Sequence, residues 1–115
     1  MIARALAERL GLRVTERRGG VTPHCCVLSE LHERKKTIVL YVDSLELLGR
    51  LVDAAGLPFK RAQLEEIAIA HECFHAQSPR ASEADAHAFS RQLLGLTASP
   101  AMLDDVLARH LAGTA

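Results

Sequence analysis

The chain has 115 residues, the usual size of one domain, with 49% hydrophobic and 24% charged residues, which excludes a disordered chain and predicts one folded core. Aromatics are only 3%, so that core has to be built from Leu, Val, Ile and Ala. Fourteen basic and fourteen acidic side chains cancel, which removes the long-range pull on phosphate backbones and anionic membranes, so neither a nucleic acid nor a membrane is expected as a direct partner.

No apolar run approaches the roughly 20 residues of a membrane-spanning helix. The first residues, MIARALAERLGLRV, carry Arg4, Glu8 and Arg9 and lack the uninterrupted apolar stretch of a signal peptide. Three cysteines, an odd number with no CxxC spacing, fit free thiols in a reducing compartment. A cytoplasmic location is expected.

In chain order, Ile2, Ala5, Leu6 and Leu10 stand at helical spacing and predict a short amphipathic helix stopped by Gly11. Residues 12–16 alternate like a half-buried strand, Gly19–Gly20 signals a turn, and residues 24–28 read as a second strand. The charged residues 32–36 make the next turn before the strongest strand, TIVLYV at 37–42, which is apolar on both faces. Three strands joined by tight turns imply an antiparallel meander. The period then becomes helical: 44–55 capped by Asp43–Ser44, about 60–76, a helix capped by Ser82 with Asp85 at the reciprocal capping position, and a last helix opened by Ser99–Pro100 that fades at Gly113. The expected fold is α+β, a small three-stranded antiparallel sheet on four to five helices, forming one domain over residues 1–115.

The chemistry is carried by residues 71–75, His71-Glu72-Cys73-Phe74-His75, an HExxH. On a helix, positions i and i+4 lie on one face about 5–6 Å apart, so two imidazoles converge on one tetrahedral Zn²⁺. Glu72 is turned aside from the pair, where a carboxylate takes a proton from an attacking water rather than binding the metal. Random placement produces this pattern in only about 2% of chains of this composition. The stripe Leu64, Ile67, His71 and Phe74 also points His71 where the core residues point. A third ligand is expected on the next helix, where Glu83, Asp85 and His87 are the candidates. Tyr41, Arg80, His87 and His110 are candidate donors to a developing oxyanion, and an edge strand of the sheet is a candidate seat for an extended peptide.

HECFH followed by EADAHAFSRQLL at 83–94 resembles the ImmA/IrrE metallopeptidase signature, an HExxH helix followed by a helix of the form E-x-x-A-x-x-F-x-x-x-L-L. The strand at 37–42 and the helix at 44–55 resemble what precedes that motif, so the resemblance covers roughly residues 37–95. It implies a gluzincin-like fold, a zinc cofactor and Glu83 as third ligand by its match to the leading Glu. It also implies peptide-bond hydrolysis restricted to a regulatory protein, since family members are associated with cleaving or controlling transcriptional repressors. No helix-turn-helix is visible here, so a DNA-binding partner would be a separate protein. The rival expectations are a non-catalytic binding module and a self-inhibited enzyme whose C-terminal helix lies across the cleft with His110 near the metal.

Overall fold

The computed structural model describes residues 1–113. Helix α1 (Ile2–Arg9) is followed by β1 (Arg13–Arg17), the short strands β2 (Val21–Thr22) and β3 (Cys25–Cys26), then β4 (Ser29–His32) and β5 (Thr37–Tyr41). Four helices follow: α2 (Val42–Ala55), α3 (Arg61–Gln77), α4 (Glu83–Leu94) and α5 (Ala101–Gly113). The expected order of a helix, a small sheet and four helices is present, and the fold is α+β. No helix among the described residues is long and apolar enough to cross a membrane.

The sheet is mixed, which corrects the antiparallel meander. Strand β5 is central in the order β1-β5-β4, with β1 parallel to it and only β4 antiparallel. The second strand also shifts, from the expected 24–28 to Ser29–His32, while Cys25–Cys26 pairs with Val21–Thr22 in a separate two-stranded ribbon. The reason lies at the Gly19–Gly20 turn. The Asp43 carboxylate accepts the backbone N–H groups of Gly19, Gly20 and Val21 at 3.1, 3.2 and 3.1 Å, which ties the chain leaving β1 to the start of α2 instead of letting it fold back along β1. Gly20 is required for that approach: a Cβ there would stand 2.3 Å from Ser44 Oγ and 2.5 Å from the Val27 carbonyl oxygen. Asp43 therefore does not cap α2, which begins one residue earlier, at Val42.

The core lies between the sheet and α3. Ile38 and Leu40 are fully buried on β5, and their neighbours Leu31 and Val14 complete an apolar face over α3, which buries Leu64, Ile67, Ala68, Ile69, Ala70 and Cys73. Each fully buried aliphatic side chain contributes about 1.5–3 kcal/mol. Helix α1 lies along α3 and lacks an N-terminal side-chain cap of its own. Glu66 of α3 supplies the missing acceptor, taking the Ala3 N–H at 2.8 Å. Helix α4 is capped as expected, with Ser82 Oγ accepting the Asp85 N–H at 3.1 Å and Gly95 ending it in the left-handed conformation at φ 63°. These caps fix where α4 starts, and its first residue is Glu83.

Candidate metal centre

His71 and His75 stand one turn apart on α3, and their Nε2 atoms come within 3.2 Å of each other. Eight residues on, α4 folds back against α3, with the Phe74 and Phe89 rings packed at a centroid distance of 5.1 Å. That packing brings Glu83 over the two imidazoles. One carboxylate oxygen lies 2.9 Å from His71 Nε2 and the other 3.0 Å from His75 Nε2. Among the described residues these three side chains form a cluster able to hold a metal ion.

The rotation of α4 about its axis decides the third residue. Its buried stripe is Ala86 and Ser90, not the Phe89–Leu93 side, so Glu83, though exposed, reaches the two imidazoles and His87 is half-buried, while exposed Asp85 has no place in the cluster. His87 turns its Nε2 to Asp104 Oδ2 at 2.8 Å, with its ring 5.6 Å from that of His71, and takes no place in the cluster.

The donor chemistry fits zinc. Two imidazoles and one carboxylate are a catalytic zinc set, and tetrahedral ligands about 2.05 Å from an ion stand roughly 3.3 Å apart. The 2.9 Å from His71 Nε2 to one Glu83 oxygen and the 3.2 Å between the imidazoles are close to this, while the 3.0 Å contact to His75 is made by the other carboxylate oxygen. Burial pushes the His71 pKa below its usual 6.5, against the opposing pull of the Glu72 and Glu83 carboxylates. His71 is therefore a neutral imidazole at pH 7, with a lone pair to offer.

Glu72 is buried beside the cluster and outside it. Its Oε2 accepts a 2.7 Å hydrogen bond from Ser29 Oγ of β4. Both line a cleft with His71 and Glu83, whose far wall is Pro100, Leu103, Asp104 and Leu107 at the start of α5. Of the four candidate oxyanion donors only His87 lines this cleft. The Tyr41 hydroxyl is turned to Glu30, Arg80 is exposed in the turn after α3, and His110 lies against Val21, Thr22, Pro23 and Leu47. The expectation that the last helix brings His110 to the metal is thus corrected: α5 reaches the cleft with its first turns and carries His110 elsewhere.

Sequence reasoning missed Ser29 and Asp104. Ser29 is 43 positions from Glu72 and follows the expected strand at 24–28, and Asp104 reads as an ordinary acid in the first turn of a helix. No family model, curated protein or solved structure matches this chain.

Proposed function

We propose that this chain is a zincin-like, zinc-dependent peptidase of the cytoplasm. The observation that carries the reading is the convergence of His71 Nε2, His75 Nε2 and the Glu83 carboxylate within 3.2 Å, with the buried Glu72 carboxylate next to them on the same cleft. His71, His75 and Glu83 would hold the ion. Zinc bound there supplies Lewis acidity, polarising a carbonyl and lowering the pKa of a bound water toward about 7.

Glu72 takes a proton from the attacking water and passes it to the leaving amine nitrogen as the C–N bond breaks. Ser29 holds Oε2 of that carboxylate, which aims the other oxygen and keeps Glu72 off the ion. The substrate seat is the free edge of β4. The Tyr41 N–H bonds the Leu28 carbonyl at 3.0 Å, which makes 28/41 a hydrogen-bonded pair of the antiparallel ladder. By alternation the backbone groups of Ser29 and Leu31 point away from β5, open to an extended peptide. A strand added there passes within one side chain of Glu72. The resemblance to the ImmA/IrrE peptidases over residues 37–95 directs the reading toward one regulatory protein as substrate, such as a transcriptional regulator.

Metal analysis of protein purified without added metal tests this. Wild type and Glu72→Gln are expected to hold about one zinc per chain, and His75→Ala to lose most of it. Glu72→Gln is expected to lower peptide hydrolysis by about 10²–10⁴-fold. Equal metal content in all three proteins, or full hydrolysis by Glu72→Gln, overturns the proposal.

A further inference from the structure

We infer that the turn between β4 and β5 is a docking surface for an acidic peptide segment, and that a substrate seated on β4 carries acidic residues on the N-terminal side of the bond to be cleaved. Calling that segment a substrate rests on the peptidase reading, whereas the surface and its preference for acidic peptide do not. The turn at 33–36 sets three cations, Arg34, Lys35 and Lys36, against one anion, Glu33, and all four side chains are exposed. Arg13 joins them at the start of β1, where its backbone N–H bonds the Lys36 carbonyl at 2.9 Å. Among the described residues no carboxylate lies within ion-pair distance of Arg13, Arg34, Lys35 or Lys36.

Lys36 is held there against its backbone preference. Its φ of 47° is left-handed, the one such value at a non-glycine among the described residues, and a side chain is strained where glycine is at ease. The turn gains nothing from a lysine at that position, since the 3.2 Å bond from the Lys36 N–H to the Glu33 carbonyl is made by backbone alone. Residues held in such regions cluster where ligands are bound.

The surface is continuous with the substrate seat. The free edge of β4 runs from Ser29, bonded to Glu72, to His32 at the foot of the turn. A groove continues from there, bordered by Leu31, His32, Glu33, Arg34 and Lys35. An antiparallel strand makes the more stable pairing with such an edge. It runs opposite to β4, so the residues preceding the cleaved bond pass His32 and reach the turn. At about 3.4 Å per residue Ser29 and His32 stand about 10 Å apart, which sets the cations beside the residues roughly four to six positions before the bond.

Charge decides between a peptide and a nucleic acid. The cleft at the other end of this edge is bordered by Glu72, Glu83 and Asp104. A phosphate chain that follows the edge meets those carboxylates, whereas a peptide is free to be acidic at the turn and neutral at the cleft.

The test uses the wild-type protein as purified, ¹⁵N-labelled, in amide NMR titrations at low salt. The probes are two decapeptides of identical composition and charge. One has four alternating Asp and Glu residues before six alternating Thr and Val residues, and the other has the blocks exchanged. The acid-first peptide is expected to shift the amides of Leu31 and of residues 33–36. It should bind at least about 10-fold more tightly than the acid-last peptide and lose that advantage at high salt. Arg34→Ser, Lys35→Ser and Lys36→Gly combined should abolish the preference. Lys36→Gly alone relieves the left-handed strain, so it should weaken acid-first binding without lowering the melting temperature, which separates lost docking from lost folding. Equal affinity of the two peptides, tighter binding of the acid-last peptide, or shifts away from the turn overturns the inference. So does an oligouridylate that binds the turn as tightly as the acid-first peptide. Acid-first selectivity in a protein that neither holds zinc nor cleaves peptides sinks the peptidase reading and leaves the surface standing. Zinc and hydrolysis without that selectivity do the reverse.

Discussion

Ser29 Oγ donates a 2.7 Å hydrogen bond to Oε2 of the buried Glu72, joining the edge strand of the sheet to α3 across 43 positions of sequence. The hydroxyl satisfies one oxygen of a carboxylate that has lost most of its water, and hydrogen bonds to charged groups of this kind are worth about 1.5–3 kcal/mol. Removing it frees Glu72 to turn toward the two imidazoles or out of the cleft. Ser29→Ala is therefore expected to keep its zinc and to lower hydrolysis by about 10-fold or more, read as kcat at saturating peptide. Unchanged kcat would mean that the bond is structural only.

Glu83 and Asp85 are two residues apart and both exposed, and the structure puts them on different sides of α4, with Glu83 on both imidazoles and Asp85 outside the cluster. Glu83→Gln is expected to weaken zinc retention by at least 10-fold in a chelator competition, and Asp85→Asn to leave it within about 2-fold. The opposite order would mean that α4 is rotated relative to α3.

Asp43 controls the turn that gives the sheet its topology. Local desolvation pushes its pKa up, but the backbone N–H groups of Val21, Gly20, Gly19 and Ser44 outweigh it and hold the carboxyl below its usual 3.8. A depressed folded value means that the charged form is favoured by folding. Its contribution is present above the unfolded pKa and is lost as pH falls below about 3.8 toward the folded value. Asp43→Asn should melt at a lower temperature than wild type at pH 7, and the gap should close as both are titrated toward pH 3. A gap that persists undiminished at pH 3 would remove the ionised carboxylate as its cause.

The three thiols are unpaired but unequal. Cys73 is fully buried on α3, and its pKa is pushed up to about 11, first by burial and then by the nearby Glu72 and Glu66 carboxylates. At pH 8 a thiol of that pKa is about 0.1% thiolate, so it is inert toward alkylation. Iodoacetamide at pH 8 is expected to modify the exposed Cys25 and to leave Cys73 intact until denaturant is added, as read by peptide mass spectrometry. Labelling of Cys73 at the rate of Cys25 would mean that α3 is not packed as described.

The features legible in the residues alone are the local ones. The spacing of His71 and His75 lies within one helix, and helical geometry alone brings two side chains four residues apart onto one face. Ser82 caps α4 through a bond three residues long, so the helix start and the entry of Glu83 into it were also legible. The tertiary structure decided everything that depends on how one element turns against another. Which acid of α4 meets the histidines follows from its rotation about the Phe74–Phe89 contact, and two acids near a helix N-terminus look alike in sequence. The parallel pairing of β1 with β5, the displacement of the second strand to Ser29–His32 and the meeting of Ser29 with Glu72 all follow from Asp43 holding the turn at 19–21. That carboxylate sits where a helix cap belongs and bonds a loop 22–24 residues away instead, a choice set by distance in space that no local pattern encodes.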